Sequence, residues 1–197
     1  MNITVEQSLQ QVENQIDKVF TLDDLRVLFH TYSDSGLYKL IQKLERQGGL
    51  LKIMRGIYVR PNADLNRICQ RIVPEAYLSC GTALAKHLLI SSIPQKKVYA
   101  VRVGSPKTYS TPLGKVRVFS IKPELYFGFS VERGMKIADP EKAYLDAWYF
   151  QFKGAKLSFD PSEDVAFEDL NRSRLSQYLE AYDTRFVTYF KSKGGIR

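Results

Sequence analysis

One stretch, Ser33 to Pro61, restricts the folds open to this chain more than any other. Leu37, Leu40, Ile41 and Leu44 fall at i, i+3, i+4 and i+7, which places them on one stripe of a helix facing a core. The opposite face carries Ser35, Tyr38, Lys39, Gln42, Lys43 and Arg46. Ser33 or Asp34 can cap the start by accepting orphan amide hydrogens, and Gly48-Gly49 end the helix, since glycine takes left-handed dihedrals cheaply. A short apolar strand, Leu50 to Met54, then turns at Arg55-Gly56 into Ile57 to Arg60, and Pro61 closes it. The spacing predicts a helix followed by a hairpin with an arginine at its tip.

Charge gives this stretch a direction. Residues 33 to 60 hold six basic side chains (Lys39, Lys43, Arg46, Lys52, Arg55, Arg60) against Asp34 and Glu45, a net of +4. Residues 1 to 32 hold Lys18 and Arg26 against Glu6, Glu13, Asp17, Asp23 and Asp24, a net of −3. Positive charge is concentrated where a duplex would meet it, and phosphate neutralisation releases counterions and supplies most sequence-independent affinity. A solvated helix face beside an ordinary hairpin is the bland alternative. The ordered combination favours DNA binding over it.

The preceding residues complete a module. Residues 4 to 17 read as a helix with Val5, Leu9, Val12 and Ile16 at helical spacing. Thr21 and Asp24 form a rough capping box for a second helix that buries Leu22, Leu25, Leu28 and Phe29, and His30-Thr31-Tyr32 turns into the third. Three helices and a hairpin in about sixty residues describe a winged helix-turn-helix, in which the third helix enters the major groove.

The remainder reads as a different kind of domain, so the expected division is 1–61 and 62–197. A linking helix carries Leu65, Ile68, Cys69 and Ile72 and ends at Pro74, and a short helix follows from Ala83 to Ile90. Val98 to Val103 and Lys115 to Ile121 have the β-branched and aromatic enrichment of strands, and Tyr126 to Val131 reads as a strand or an irregular crossing. Asp139-Pro140-Glu141-Lys142 opens a mostly buried helix, with aspartate at the cap and proline at the first position. An acidic loop from Ser158 to Asp169 leads to two last helices, around 172–182 and 184–193. The expected class is α+β: a winged helix-turn-helix, then a mixed domain with a small sheet packed on helices.

Residues 86 to 136 are the most basic part of the chain, with ten Lys or Arg against Glu124 and Glu132. Lys96, Lys97, Arg102, Lys107, Lys115 and Arg117 form a candidate second basic surface, the alternative being a sheet with one wet face. The net charge of +8 and the pI near 9.4 favour a polyanionic partner, nucleic acid before membrane. No segment approaches the ~20 apolar residues of a membrane span, and Met1 to Gln15 lacks the pattern of a signal peptide. Cys69 and Cys80 match neither a disulfide framework nor a zinc motif, and read as small buried hydrophobes of a cytoplasmic protein.

Catalytic chemistry finds little support. The two histidines, His30 and His87, sit at a helix end and in an apolar helix, and no phosphate-cradling glycine loop occurs. Asp139, Glu141, Lys142 and Asp146 form a nuclease-like string, yet the capping role of a helix start explains its first members without a metal. The expectation is a protein with no catalytic residues, no metal and no cofactor.

Three motifs in order, Met54-Arg55-Gly56-Ile57-Tyr58-Val59, Ser79-Cys80-Gly81-Thr82-Ala83-Leu84 and Ala138-Asp139-Pro140-Glu141-Lys142-Ala143-Tyr144-Leu145-Asp146, resemble the AbiEi family of antitoxins from type IV toxin-antitoxin and abortive-infection systems of bacteria. The resemblance runs from about residue 15 to residue 150, and the last portion departs from it. It implies a winged helix that binds inverted repeats in its own promoter and represses it. It also implies a second domain that counteracts a nucleotidyltransferase-like toxin without a stable complex. On the residues themselves, Ser35, Tyr38, Lys39, Gln42, Lys43, Arg46, Lys52 and Arg55 are the candidate DNA contacts, with Arg55 entering or flanking the minor groove. The alternative function is a basic nucleic-acid- or protein-interaction module without antitoxin activity.

Overall fold

Two capping boxes start the first two helices. Thr4 accepts from the Gln7 amide at the head of α1 (Val5–Glu13), and Gln7 reaches back to the Thr4 amide. Thr21 and Asp24 do the same for α2 (Leu22–Leu28), with the Thr21 amide donating to Asp24 over 2.7 Å. Between them lies β1 (Val19–Thr21), too short for periodicity to announce. The computed structural model describes residues 4–15, 18–91 and 96–196, so the expected helical position Ile16 lies outside the described residues. The third helix, α3 (Asp34–Arg46), is capped by Ser33, whose hydroxyl accepts from the Gly36 amide, while Asp34 pairs with Arg26 at 3.1 Å. It ends where Gly48 takes φ +71° and where a side chain on Gly49 would collide with Leu9.

The chain divides into two compact units, Met1–Ile72 with Thr111–Leu113, and Val73–Ser110 with Gly114–Arg197. In the first, β2 (Leu51–Met54) and β3 (Ile57–Val59) form the hairpin, and β1 adds to it as an antiparallel sheet in the order β1-β3-β2. Alternation gives this sheet two faces. Phe20 and Tyr58 face a core built with Leu25, Phe29, Leu37, Leu40, Ile41 and Leu44. On the other face Val19 and Val59, with Leu51, Ile53 and Ile57 around them, pack on Ile68 of α4 (Leu65–Ile72). Helix, strand, two helices and a hairpin in this order are the topology of a winged helix. The helix expected as a linker in the second domain instead covers the back of the sheet, so the break falls after Ile72 rather than after Pro61.

The second unit is organised on α6 (Pro140–Phe152), in which every residue from Glu141 to Phe150 is buried. Its sheet has the order β6-β7-β5-β4-β9-β8, formed by β4 (Tyr77–Leu78), β5 (Lys97–Val103), β6 (Lys107–Thr111), β7 (Gly114–Ile121), β8 (Phe129–Glu132) and β9 (Met135–Ala138). The strands expected at 98–103 and 115–121 are present and run parallel, in register from Lys97↔Lys115 to Val103↔Ile121. The segment between them contains β6, and the 126–131 segment, expected as a strand or an irregular crossing, follows a 3-10 turn and enters β8. The short helix α5 is Cys80–Lys86, not 83–90. Of the two final helices, α7 (Arg172–Leu179) bonds to the start of α6 through Arg174 and Glu141, and α8 (Thr184–Ser192) closes over α6 through rings: Trp148 meets Phe190 at 5.5 Å, and Tyr149 meets Phe186 at 5.4 Å.

Leu88 follows α5 in the left-handed region (φ 60°) and is 88 % exposed. The next amide, Leu89, closes the helix end by donating to the Leu84 carbonyl over 2.9 Å, a cap geometry that favours glycine. Leucine here bears left-handed strain with almost no burial to offset it. Leu88→Gly is therefore expected to raise unfolding free energy by ~1 kcal/mol, read from urea denaturation of the full chain. A variant less stable than the parent contradicts this.

Candidate nucleic-acid interface

The apolar stripe of α3 fixes what its other face presents. Leu37, Leu40, Ile41 and Leu44 are all buried, as their spacing predicts, and Ser35, Tyr38, Lys39, Gln42, Lys43 and Arg46 are all exposed. The exposed face has two flanks. Lys39 and Lys43, one turn apart, line a groove of about 450 Å³ on the side of α1, together with Val5, Ser33 and Gly36. Tyr38 and Glu45 occupy the hairpin side: burial pushes the Tyr58 phenol up from its ordinary value, and the nearby Glu45 and Tyr38 add to the shift. Ser35, Gln42 and Arg46 run along the ridge between these flanks.

Cations in this unit fall into two groups. Arg26 donates to Asp23 (2.7 Å) and Asp34, Arg71 pairs with Asp24, and Arg60 bridges Glu13 (3.0 Å) and the Gly49 carbonyl (3.3 Å). Arg60, counted with the basic stretch on sequence, thus holds the hairpin to the ends of α1 and α3. Among the described residues, no ion pair or side-chain hydrogen bond engages Lys39, Lys43, Arg46, Lys52 or Arg55. Like charges kept close and unpaired oppose one another, and an anionic partner relieves that repulsion.

The hairpin is shorter and more firmly tied than sequence suggests. β1 pairs with all of β3, from Val19↔Val59 to Thr21↔Ile57, so only Arg55 and Gly56 extend past the ladder. The Gly56 carbonyl accepts from the Leu22 amide over 2.9 Å, which stitches the turn to the first residue of α2. Lys52 stands directly opposite Tyr58 and shares its face, the side of α3.

The second unit does not present the expected row of sheet cations. β5 is buried on both faces, Val98, Tyr99, Ala100 and Val101 all being inside, so neither a basic sheet surface nor a single wet face describes it. Arg102 is spent on Glu75 at 2.6 Å and on the Ser105 carbonyl, and Arg117 donates to the Lys156 carbonyl while its guanidinium lies 4.6 Å from the Phe119 ring. Lys107 lies over Tyr109 on the edge strand β6, and Lys97 over Tyr99. Lys96 and Lys115 are exposed at the start of the parallel pair, where Lys97 is in register with Lys115.

The nuclease-like string comes apart. Asp139 begins α6 but makes no side-chain cap; its carboxylate accepts from the Tyr178 hydroxyl at 2.6 Å. Glu141, 2 % exposed, accepts from the Asn171 amide (2.8 Å) at the head of α7 and from Arg174. Lys142 and Asp146 pair with each other and are wholly buried. Asp146 also accepts from Tyr77 (2.9 Å) and Ser79 (2.7 Å), and Lys142 donates to the Tyr182 hydroxyl (3.0 Å) amid the rings of Tyr77, Phe127 and Tyr182. This network ties β4, α6 and the α7–α8 segment together. A lysine and an aspartate one turn apart on an otherwise apolar helix were its visible signal.

Cys80, the first residue of α5, sits in the left-handed region (φ 48°), but its thiol is buried, and burial with the Asp146 carboxylate pushes it well above its ordinary value. His87 bonds the Ala138 carbonyl through Nε2. Among the described residues, no three His, Cys, Asp or Glu side chains converge as metal ligands, and no helix is long and apolar enough to cross a membrane.

No protein-family model matches the sequence, and neither does any curated protein. Among solved structures, the crystal structure of the RV2827C protein from Mycobacterium tuberculosis is similar, with a TM-score of 0.63 over 97% of this chain and 77% of that one, at 15% identity. At that identity the likeness is one of fold.

Two outcomes are expected. Lys142→Met strands a buried carboxylate and costs ~3–5 kcal/mol in urea unfolding, and adding Asp146→Leu restores part of the loss, the Tyr77 and Ser79 hydroxyls being left without their acceptor. A double variant no more stable than the single contradicts this. Burial lifts Cys69 from 9.0 to about 12, so the unfolded thiol ionises first. Its contribution to stability is complete below pH 9.0 and declines as pH rises toward 12, and native Cys69 and Cys80 resist a thiol reagent at pH 8 until denaturant is added.

Proposed function

We propose that this protein is a DNA-binding transcriptional regulator whose α3 occupies the major groove of an operator made of inverted repeats. The observation that carries the reading is the division of cations in the first unit. Arg26, Arg60 and Arg71 are consumed by carboxylates, whereas Lys39, Lys43, Arg46, Lys52 and Arg55 are exposed and unengaged among the described residues. On the outer face of α3, the ridge residues Gln42 and Arg46 have the donor and acceptor chemistry that reads base edges, and the flanking lysines suit phosphate.

The resemblance to AbiEi antitoxins extends the proposal: the regulator represses its own operon, and its second unit counteracts a nucleotidyltransferase-like toxin encoded beside it. No catalytic step is assigned to the chain. A second reading, a basic interaction module in the second unit, is favoured by one observation. Lys97 and Lys115 are neighbours in register on parallel strands, an arrangement of like charges that costs stability unless an anion covers it.

The test uses the full chain and fluorescence anisotropy on the duplex upstream of its own coding sequence. Lys43→Ala is expected to weaken specific and random duplexes alike and to flatten the salt dependence by about one. Arg46→Ala is expected to cost ~1–3 kcal/mol on the specific duplex and to relax discrimination. Equal effects of both variants on both duplexes contradict the assignment, and binding lost only with Lys97→Ala and Lys115→Ala favours the second reading.

A further inference from the structure

We infer that this protein reads bases in the major groove alone, and that Lys52, not Arg55, makes the hairpin's contact with DNA. The inference rests on the DNA-binding reading above and departs from the usual division of labour in winged helices, where a hairpin arm reaches the minor groove.

The geometry of the turn carries it. An arm that enters the minor groove must pass between two phosphate rows about 6 Å apart, so it has to project beyond its sheet. Here β1 runs alongside β3 to its last residue, Thr21↔Ile57, and the free part of the hairpin is the pair Arg55-Gly56. That pair is held down by the bond from the Leu22 amide to the Gly56 carbonyl. No length of chain remains to form an arm.

Charge beside the turn acts in the same sense. Leu22 is followed by Asp23 and Asp24 in the first turn of α2, and the Asp23 side chain is 85% exposed. Arg71 and Thr21 bind Asp24, and Arg26 shares itself between Asp23 and Asp34. A carboxylate next to the tip repels the phosphates that border a minor groove. Arg55 and Lys52 alike have no carboxylate partner among the described residues, so what separates them is position.

Lys52 is placed where contact is useful. It lies opposite Tyr58 on the face of the sheet turned to α3, and Tyr58 neighbours Tyr38 and Glu45 on the hairpin flank of that helix. Leu51 and Ile53 point the other way, toward α4. Lys52 thus continues the line of the recognition face, on the flank opposite Lys39 and Lys43. A flank carrying Lys39 and Lys43, an opposite flank where Lys52 stands beside Tyr38 and Glu45, and a base-reading ridge match a helix lying between the phosphate rows of one major groove.

The experiment takes a duplex enriched from a random-sequence library on the full-length protein and methylates it lightly with dimethyl sulfate, which marks guanine N7 in the major groove and adenine N3 in the minor groove. Interference is read position by position, and affinity is measured for Arg55→Ala, Lys52→Ala and Arg46→Ala, all at exposed sites. Expected are interference from guanine N7 alone and an Arg55→Ala affinity within about twofold of the parent. Lys52→Ala is expected to be about fivefold weaker, with a salt slope lower by about one. Interference from adenine N3, a tenfold loss with Arg55→Ala, or parental affinity of Lys52→Ala overturns the inference while DNA binding stands. If no duplex is enriched, or Arg46→Ala binds like the parent, the DNA-binding reading fails and the inference falls with it.

Discussion

The insertion of four aliphatic side chains of α3 into the core of the first unit is the interaction on which the rest depends. Leu37, Leu40, Ile41 and Leu44 are at most 4 % exposed and meet Leu25, Phe29, Phe20 and Tyr58. Burial of this order is worth ~1.5–3 kcal/mol per side chain, more than the few tenths that repulsion among exposed lysines costs. The hydrophobic stripe therefore dictates the helix's rotation, and the rotation dictates that the cationic face looks outward. Ser33 at one end and Gly48-Gly49 at the other set its length, so the ridge from Ser35 to Arg46 is presented whole.

In the second unit the corresponding constraint is polar. Lys142 and Asp146 are wholly buried, and their separate desolvation is met only because Tyr77, Ser79 and Tyr182 complete the bonding. The partners come from β4, from the residue that precedes α5 and from the α7–α8 connection, so the network ties these segments to α6. Rings from α6, the α7–α8 connection and α8 pack beside this network.

The legible parts of the sequence were those whose period or cap is local. The α3 stripe, the Thr21–Asp24 capping box, the strands at 98–103 and 115–121 and the buried α6 all follow from local spacing and composition, whereas the parallel pairing of those strands does not. Elements defined by a distant partner were illegible. β1 and β4 are three and two residues long and exist only because β3, β5 and β9 pair with them. The candidate site divided in the same way. Exposure of the α3 cations could be read from the stripe, but the tether on Arg55-Gly56 comes from Leu22, far away in sequence, and the diversion of Arg60 to Glu13 and of Arg102 to Glu75 depends on tertiary approach. The DPEK string illustrates the converse: its residues suit a helix start, yet Asp139 and Glu141 serve α7, and Lys142 faces inward.

The central claim is that the outward face of α3 and Lys52 neutralise duplex phosphates. The most direct measurement is the dependence of duplex affinity of the unmodified full chain on salt concentration. With Lys39, Lys43 and Lys52 on phosphates, and Arg46 near them, log K is expected to fall against log salt with a slope of about −3 to −4. A slope near zero, or no saturable binding to duplex at low salt, contradicts the account.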